Sequence, residues 1–134
     1  MENPYCSFEQ SVALKEIGFN LGCLAWYNPN GHFLWKFLDS DESISTLDLI
    51  NQKVYVEHTL APQKYTVINW FRFIHGLHTC FFVEDNKRYG YQITYFLKGL
   101  RIDKPIKRGF KNYEEAEVAC IDELIILIKS KDGK

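Results

Sequence analysis

Twice along this chain the same order of signals recurs: a helical run closed by glycine, then two short alternating runs on either side of turn-forming residues. The first set spans 7–38 and the second 62–97, and a third helical run with its own capping residues follows. Helices interleaved with hairpins, rather than with lone strands, predict antiparallel pairing. The expected class is therefore α+β, with about three helices packed on hairpins in the order α-β-β-(β)-α-β-β-α. The two sets share order without obvious sequence identity, so they suggest an internal duplication only through their arrangement.

Within the first set, Ser7 and Gln10 form a capping-box pattern ahead of Phe8, Val12, Ala13 and Ile17, and Gly18 ends the helix. Residues 23–27 and 32–38 then read as strands around Asn28-Pro29-Asn30-Gly31, with Phe33, Trp35 and Phe37 on one aromatic face. An acidic, serine-rich stretch follows at 39–43, then a short helical turn over 46–51 and an edge strand over 53–58. Pro62 opens the second helix in its first turn, and the helix runs to His75 with Gly76 after it. Tyr65, Val67, Ile68, Trp70, Phe71, Phe73 and Ile74 make it apolar on nearly every side, as in a helix that is central or shared with a partner. Strands at 77–83 and 89–97 flank the polar turn 84–88. A basic loop from Lys98 to Lys111 leads to the last helix, 113–129, capped by Asn112 with Glu115 and opened by acids that suit the helix dipole.

With 134 residues, 46% of them hydrophobic, the chain is expected to be one domain, 1–134, with a core that needs no cross-links. A formal charge of −1 supplies no overall field toward nucleic acid or an acidic membrane, so any such attraction must be local. No apolar run approaches the roughly 20 residues that span a bilayer. Met1-Glu2-Asn3-Pro4 has neither the basic nor the apolar part of a signal peptide, so a cytoplasmic protein without membrane partners is expected. Cys6, Cys23, Cys80 and Cys120 lie far apart and read as reduced, mostly buried thiols, the last three among apolar neighbours.

No nucleophile elbow, phosphate-binding glycine loop, dinucleotide fingerprint or zincin motif occurs, so neither an enzyme nor a cofactor is expected. His75, His78 and Cys80 have the spacing of metal ligands, but they lack the second cluster that a closed zinc site requires. The structural reading puts His75 at a helix end and Cys80 into the core. Asp39, Asp41, Ser43 and Ser45 imitate the start of a calcium loop. Ile44 then stands where glycine is required and Ile50 where the bidentate glutamate belongs, which leaves a solvated acidic loop whose four acids, Asp39, Asp41, Glu42 and Asp48, could form a local negative patch that steers toward a basic protein.

The basic run is the strongest candidate for binding. Lys98, Arg101, Lys104, Lys107, Arg108 and Lys111 stand against Asp103 alone, a local excess of +5. With Lys87, Arg88 and the interleaved Phe110 they have the composition of a surface that follows a phosphate backbone. Glu114, Glu115, Glu117, Asp122 and Glu123 on the following helix partly neutralise them, so the same residues also read as an ordinary solvated face. The last helix carries Leu124-Ile125-Ile126-Leu127-Ile128, more consecutive apolar residues than one face needs; the surplus meets another layer of the domain or a second copy in a homodimer.

Four segments carry a family resemblance: Ser7-Phe8-Glu9-Gln10 with Leu14-Lys15-Glu16-Ile17-Gly18-Phe19; Cys23-Leu24-Ala25-Trp26-Tyr27; Ala61-Pro62 with Trp70-Phe71-Arg72; and Phe110-Lys111-Asn112-Tyr113-Glu114-Glu115-Ala116-Glu117. Over most of its length the chain resembles small accessory proteins of bacteriophages and other mobile elements. That resemblance implies a non-enzymatic module that binds and disables a host protein or ribonucleoprotein, CRISPR effectors among them. Residues 62–129 also resemble the double-stranded-RNA-binding domain in element order, which implies RNA or DNA as the other class of partner. The last helix, however, opens with acids where that domain presents lysines.

Overall fold

Ser7 caps the first helix as its sequence predicts: its hydroxyl accepts the Gln10 N–H at 3.1 Å while the Gln10 side chain accepts the Ser7 N–H at 3.3 Å. In the computed structural model, which describes residues 3–19, 21, 25–27, 29–31, 33–35 and 59–132, this helix is α1 (Phe8–Glu16). It is followed by β1 (Ala25–Tyr27), β2 (Phe33–Trp35), β3 (Thr59–Leu60), α2 (Lys64–His75), β4 (His78–Val83), β5 (Tyr89–Leu97), β6 (Leu100–Asp103), β7 (Lys107–Phe110) and α3 (Tyr113–Asp132). The fold is α+β, with antiparallel strands throughout the described sheets. The expected turn over 46–51, the strand over 53–58, the acidic stretch and Cys23 lie outside the described residues.

The chain divides into two compact units, Pro4–Gln63 and Lys64–Lys134, the latter including Met1–Asn3. In the N-terminal unit the predicted hairpin forms, with Tyr27 opposite Phe33, and β3 joins the free side of β1 to give the order β2-β1-β3. Tyr27 is buried beside Ala61 with Tyr5 and Phe8 packed on it, and its hydroxyl donates to the Cys6 carbonyl at 2.6 Å. Burial raises the pKa of that hydroxyl and keeps it a donor.

In the C-terminal unit β5 is central. β4 pairs along one side of it, and β6 and then β7 pair along the other. The first strand is central in one unit and the second in the other, so the shared element order does not extend to a shared topology. α2 begins at Lys64 instead of 62, because the Pro62 carbonyl accepts the Cys6 N–H at 2.9 Å and is not available to a helical turn. Its buried face, Val67, Trp70 and Phe71, packs inward, while Tyr65, Phe73 and Ile74 are exposed. α3 has the expected cap, the Asn112 side chain accepting the Glu115 N–H at 2.8 Å.

The apolar run in α3 is absorbed by the fold: Leu124, Ile125 and Ile128 are buried and Leu127 half-buried, so Ile126 alone is exposed and the run presents no continuous face to a second copy. Tyr91 of β5 donates to Glu123 of α3 at 2.6 Å, and the other carboxylate oxygen of Glu123 lies 3.7 Å from Lys104. Burial foremost, then the bond to Glu123, pushes the Tyr91 pKa far above the ordinary tyrosine value. Burial does the same to the Cys120 thiol, which makes it an inert core residue.

Lys64, almost fully buried, donates to the Asn3 carbonyl at 2.7 Å and pairs with Glu114 at 3.3 Å, and the same carboxylate accepts the Asn3 N–H at 3.2 Å. The Asn3 N–H first, then Lys64, holds the Glu114 carboxyl below its ordinary 4.5. A depressed carboxyl contributes stability that is present above the unfolded value and lost as pH falls through the folded one. Acid titration of unfolding should therefore show a stability loss below about pH 4.5 that is shallower in Lys64→Met. Identical slopes for the two proteins would show that Lys64 does not act on this carboxyl.

Candidate functional site

The segment read from sequence as a basic loop is mostly strand. Lys98 and Gly99, with φ of 53° and 80°, make the two-residue turn that suits the twist of a hairpin, and the chain returns along β5 as β6. Pro105 falls in the three-residue break between β6 and β7, where an edge strand tolerates a residue without an N–H. Pairing resumes through a bulge, since Tyr89 faces Phe110 and Tyr91 faces Lys107.

This topology divides the predicted site residues between two ends of the sheet. β5 has nine residues and so is roughly 27 Å long. At its N-terminal end, Lys87 and Arg88 occupy the β4–β5 turn, next to Lys107, Arg108, Phe110 and Lys111 of β7 and its exit. The Gly109 N–H donates to Glu84 of that turn at 3.3 Å and ties the two segments together. Phe110 is committed to packing, its ring 5.7 Å from that of Tyr91. Lys87, Arg88, Lys107, Arg108 and Lys111 are exposed, and among the described residues none of them forms an ion pair. The first half of α3 presents Glu114, Glu115 and Asp122 around an open depression of about 530 Å³ that Phe110 also lines, so this edge is mixed in sign.

At the other end lie Lys98 and Arg101. Arg101 is bound to Asp103 at 2.9 Å, and Thr94 donates to the same carboxylate oxygen at 2.7 Å, which together lower the Asp103 pKa. Lys104, between the ends, belongs to the network with Glu123 and Tyr91. The nine predicted residues therefore do not form one surface: five cations converge at one end, and the remaining cations are distant or engaged.

What the sequence reading missed is apolar. A pocket of about 350 Å³ opens between the C-terminal ends of α2, β5 and α3, lined by His75, Leu77, Tyr95, Leu97, Leu127 and Ile128 among others. Phe73 and Ile74 in the last turn of α2, and Phe96, Leu97 and Leu100 beside the β5–β6 turn, are each more than half exposed, from 57% at Leu97 to 76% at Phe73. Two signals for this surface were present: the apolar excess of α2, and the unbroken Tyr95-Phe96-Leu97, which breaks the alternation of β5.

Among the described residues no group of His, Cys, Asp and Glu is arranged to hold a metal. His75 packs edge-on against Trp70, ring centroids 4.7 Å apart. Cys80, expected in the core, is exposed, because β4 turns Phe81 toward Tyr91 and Tyr113 and its neighbour Cys80 to the opposite face. No helix among the described residues is long and apolar enough to cross a membrane. No family model, no curated protein and no solved structure matches the chain.

Proposed function

We propose that this chain is a non-enzymatic binding module, a phage-type accessory protein that engages and disables a host protein or ribonucleoprotein such as a CRISPR effector. One observation carries the binding reading: Phe96 and Leu97 line the pocket yet are more than half exposed, as are Phe73 and Ile74 just before the lining residue His75 and Leu100 opposite Leu97. Single exposed apolar side chains are common, but five large ones, two of them aromatic, on the segments that border one pocket have the composition of a protein interface. The accessory role rests on the resemblance of the capping and strand segments described above. Capture from the native host with tagged protein is expected to recover one specific macromolecule and to lose it in a Phe73→Ser, Leu97→Ser variant that remains folded. Recovery of no macromolecule, together with turnover of a small substrate, would refute the reading.

RNA or DNA binding is the second reading, favoured by the five cations at the β4–β5 turn and β7 that lack ion pairs among the described residues. If they contact phosphates, the logarithm of affinity should fall with that of salt by about 0.9 per contact on duplex DNA and about 0.7 on single strands. Titration of duplex and single-stranded RNA and DNA at two salt concentrations decides it. Flat responses to all of them leave protein as the partner class.

A further inference from the structure

We infer that the outer edge of β4 pairs antiparallel with one extended segment of the partner protein, apolar at alternate positions. This inference rests on the binding-module reading and specifies the kind of segment that is bound. Two backbone bonds fix which way β4 turns its polar groups. The Lys104 N–H donates to the Ile93 carbonyl at 2.9 Å, and the Glu84 N–H to the Arg88 carbonyl at 2.6 Å, each in line with the register of its strand pair. Bonded positions alternate in antiparallel pairs, so odd residues of β5 bond to β6 and even residues to β4. The even residues of β4 are thus bonded to β5, and Thr79, Phe81 and Val83 turn their N–H and carbonyl groups outward. Among the described residues no strand pairs along that side.

The two sides of this sheet are protected unequally. Pro105, the bulge of β7, Lys107 and Arg108 are devices that discourage pairing, whereas β4 contains no proline, glycine, lysine or acid and keeps an unbroken register. The helix layer also extends to the β4 side. α2 packs on β4 and on α3, and α3 packs on β5, so α2 is the outer helix above this edge. Ile74 continues the inward stripe of Val67, Trp70 and Phe71 at the i+7, i+4 and i+3 positions, yet it is 64% exposed where they are at most 5%. A strand added beside β4 would supply the layer that Ile74 lacks. Residues of that strand opposite Thr79, Phe81 and Val83 would both bond to them and point to the helix side, as Phe81 does in packing on Tyr113, so those residues are the apolar ones. A second copy of this chain does not fit the same edge. Two paired β4 strands would lie about 4.8 Å apart and carry an α2 each, whereas packed helices need about 8–10 Å between axes.

The test uses the full chain and a fluorescent peptide, Lys-Val-Thr-Val-Thr-Val-Thr-Lys, in three forms: unmodified, N-methylated on each valine, and N-methylated on each threonine. Methylation removes backbone donors and keeps every side chain. The unmodified peptide is expected to bind, methylation of the valines to weaken it by at least about tenfold, and methylation of the threonines to change it by less than about threefold. Val83→Pro removes an outward N–H that the fold does not use, at a residue 62% exposed, and should weaken the unmodified peptide by about three- to tenfold. Ile74→Ser, also at an exposed position, should weaken it by a similar factor, about three- to tenfold, through lost apolar cover. Circular dichroism verifies that both variants are folded.

No binding of the unmodified peptide, equal effects of the two methylation patterns or the reverse order, or insensitivity to both variants would overturn the inference. Concentration-dependent dimerisation abolished by Val83→Pro would overturn it in favour of a second copy as the occupant. Should the peptide fail while the host macromolecule is still captured, the edge assignment falls and the binding-module reading stands. Failure of capture as well removes both.

Discussion

Gly90→Ala is expected to lower the stability of the C-terminal unit by about 3 kcal/mol, the upper part of the usual range for overfilling a packed site. Gly90 is buried in β5 opposite the bulge of β7, where an added Cβ would lie 2.6 Å from the Lys107 carbonyl oxygen and 2.6 Å from Phe82 Cζ. The Phe82 ring can swing away. The carbonyl is backbone, however, and its retreat would loosen the pairing that seats Phe110 against Tyr91 and brings the Gly109 N–H to Glu84. Gly99→Ala provides the contrast: nothing lies within 4 Å of its added Cβ, so only the positive φ of 80° opposes it, at about 1 kcal/mol. Urea unfolding of the two variants measures both. A loss below about 1 kcal/mol for Gly90→Ala would mean that β7 is not held this closely against β5.

The second large effect belongs to Phe71. Its side chain is 0% exposed and lies edge-on to Trp70 at a ring separation of 5.0 Å, on the face of α2 that packs inward. Phe71→Ala should cost about 4 kcal/mol, as the lost transfer energy and the cavity left behind add together. Phe73, two residues away and 76% exposed, should tolerate alanine within about 0.5 kcal/mol. The pair separates the two uses of one apolar helix. Loss of stability follows Phe71, whereas loss of binding without loss of stability follows Phe73. Similar destabilisation by both would show that Phe73 is covered in solution and cannot serve as an interface residue.

Much of the secondary structure was legible because its signals are local. Ser7 with Gln10, and Asn112 with Glu115, cap helices within four residues of sequence, and the turn at 84–88 separates two runs whose alternation is intact. The strands β6 and β7 were not legible, since Gly99, Pro105 and Gly109 all read as breakers and the charge density reads as loop. An edge strand accepts such residues: the turn uses the glycine, the break accommodates the proline, and side chains on an open edge remain in water. Legibility of the candidate site was lower still. The eight cations and Phe110 of the predicted site all fall within residues 87–111, yet antiparallel pairing sends Lys98 and Lys87 to opposite ends of β5.

By itself the sequence determined the α+β class, the caps of the first and last helices and the first two hairpins, because each depends on residues a few positions apart and on the periods of helix and strand. Tertiary structure alone decided which apolar residues are core and which are surface. Phe71 and Phe73 carry the same side chain on the same helix, and only the layer beneath α2 distinguishes them. It likewise decided that Leu77, Leu97 and Leu127, remote from one another along the chain, line one pocket. Burial and adjacency are set by contacts between distant segments, and those contacts exist only once β5 has paired on both sides and the helices have closed over it.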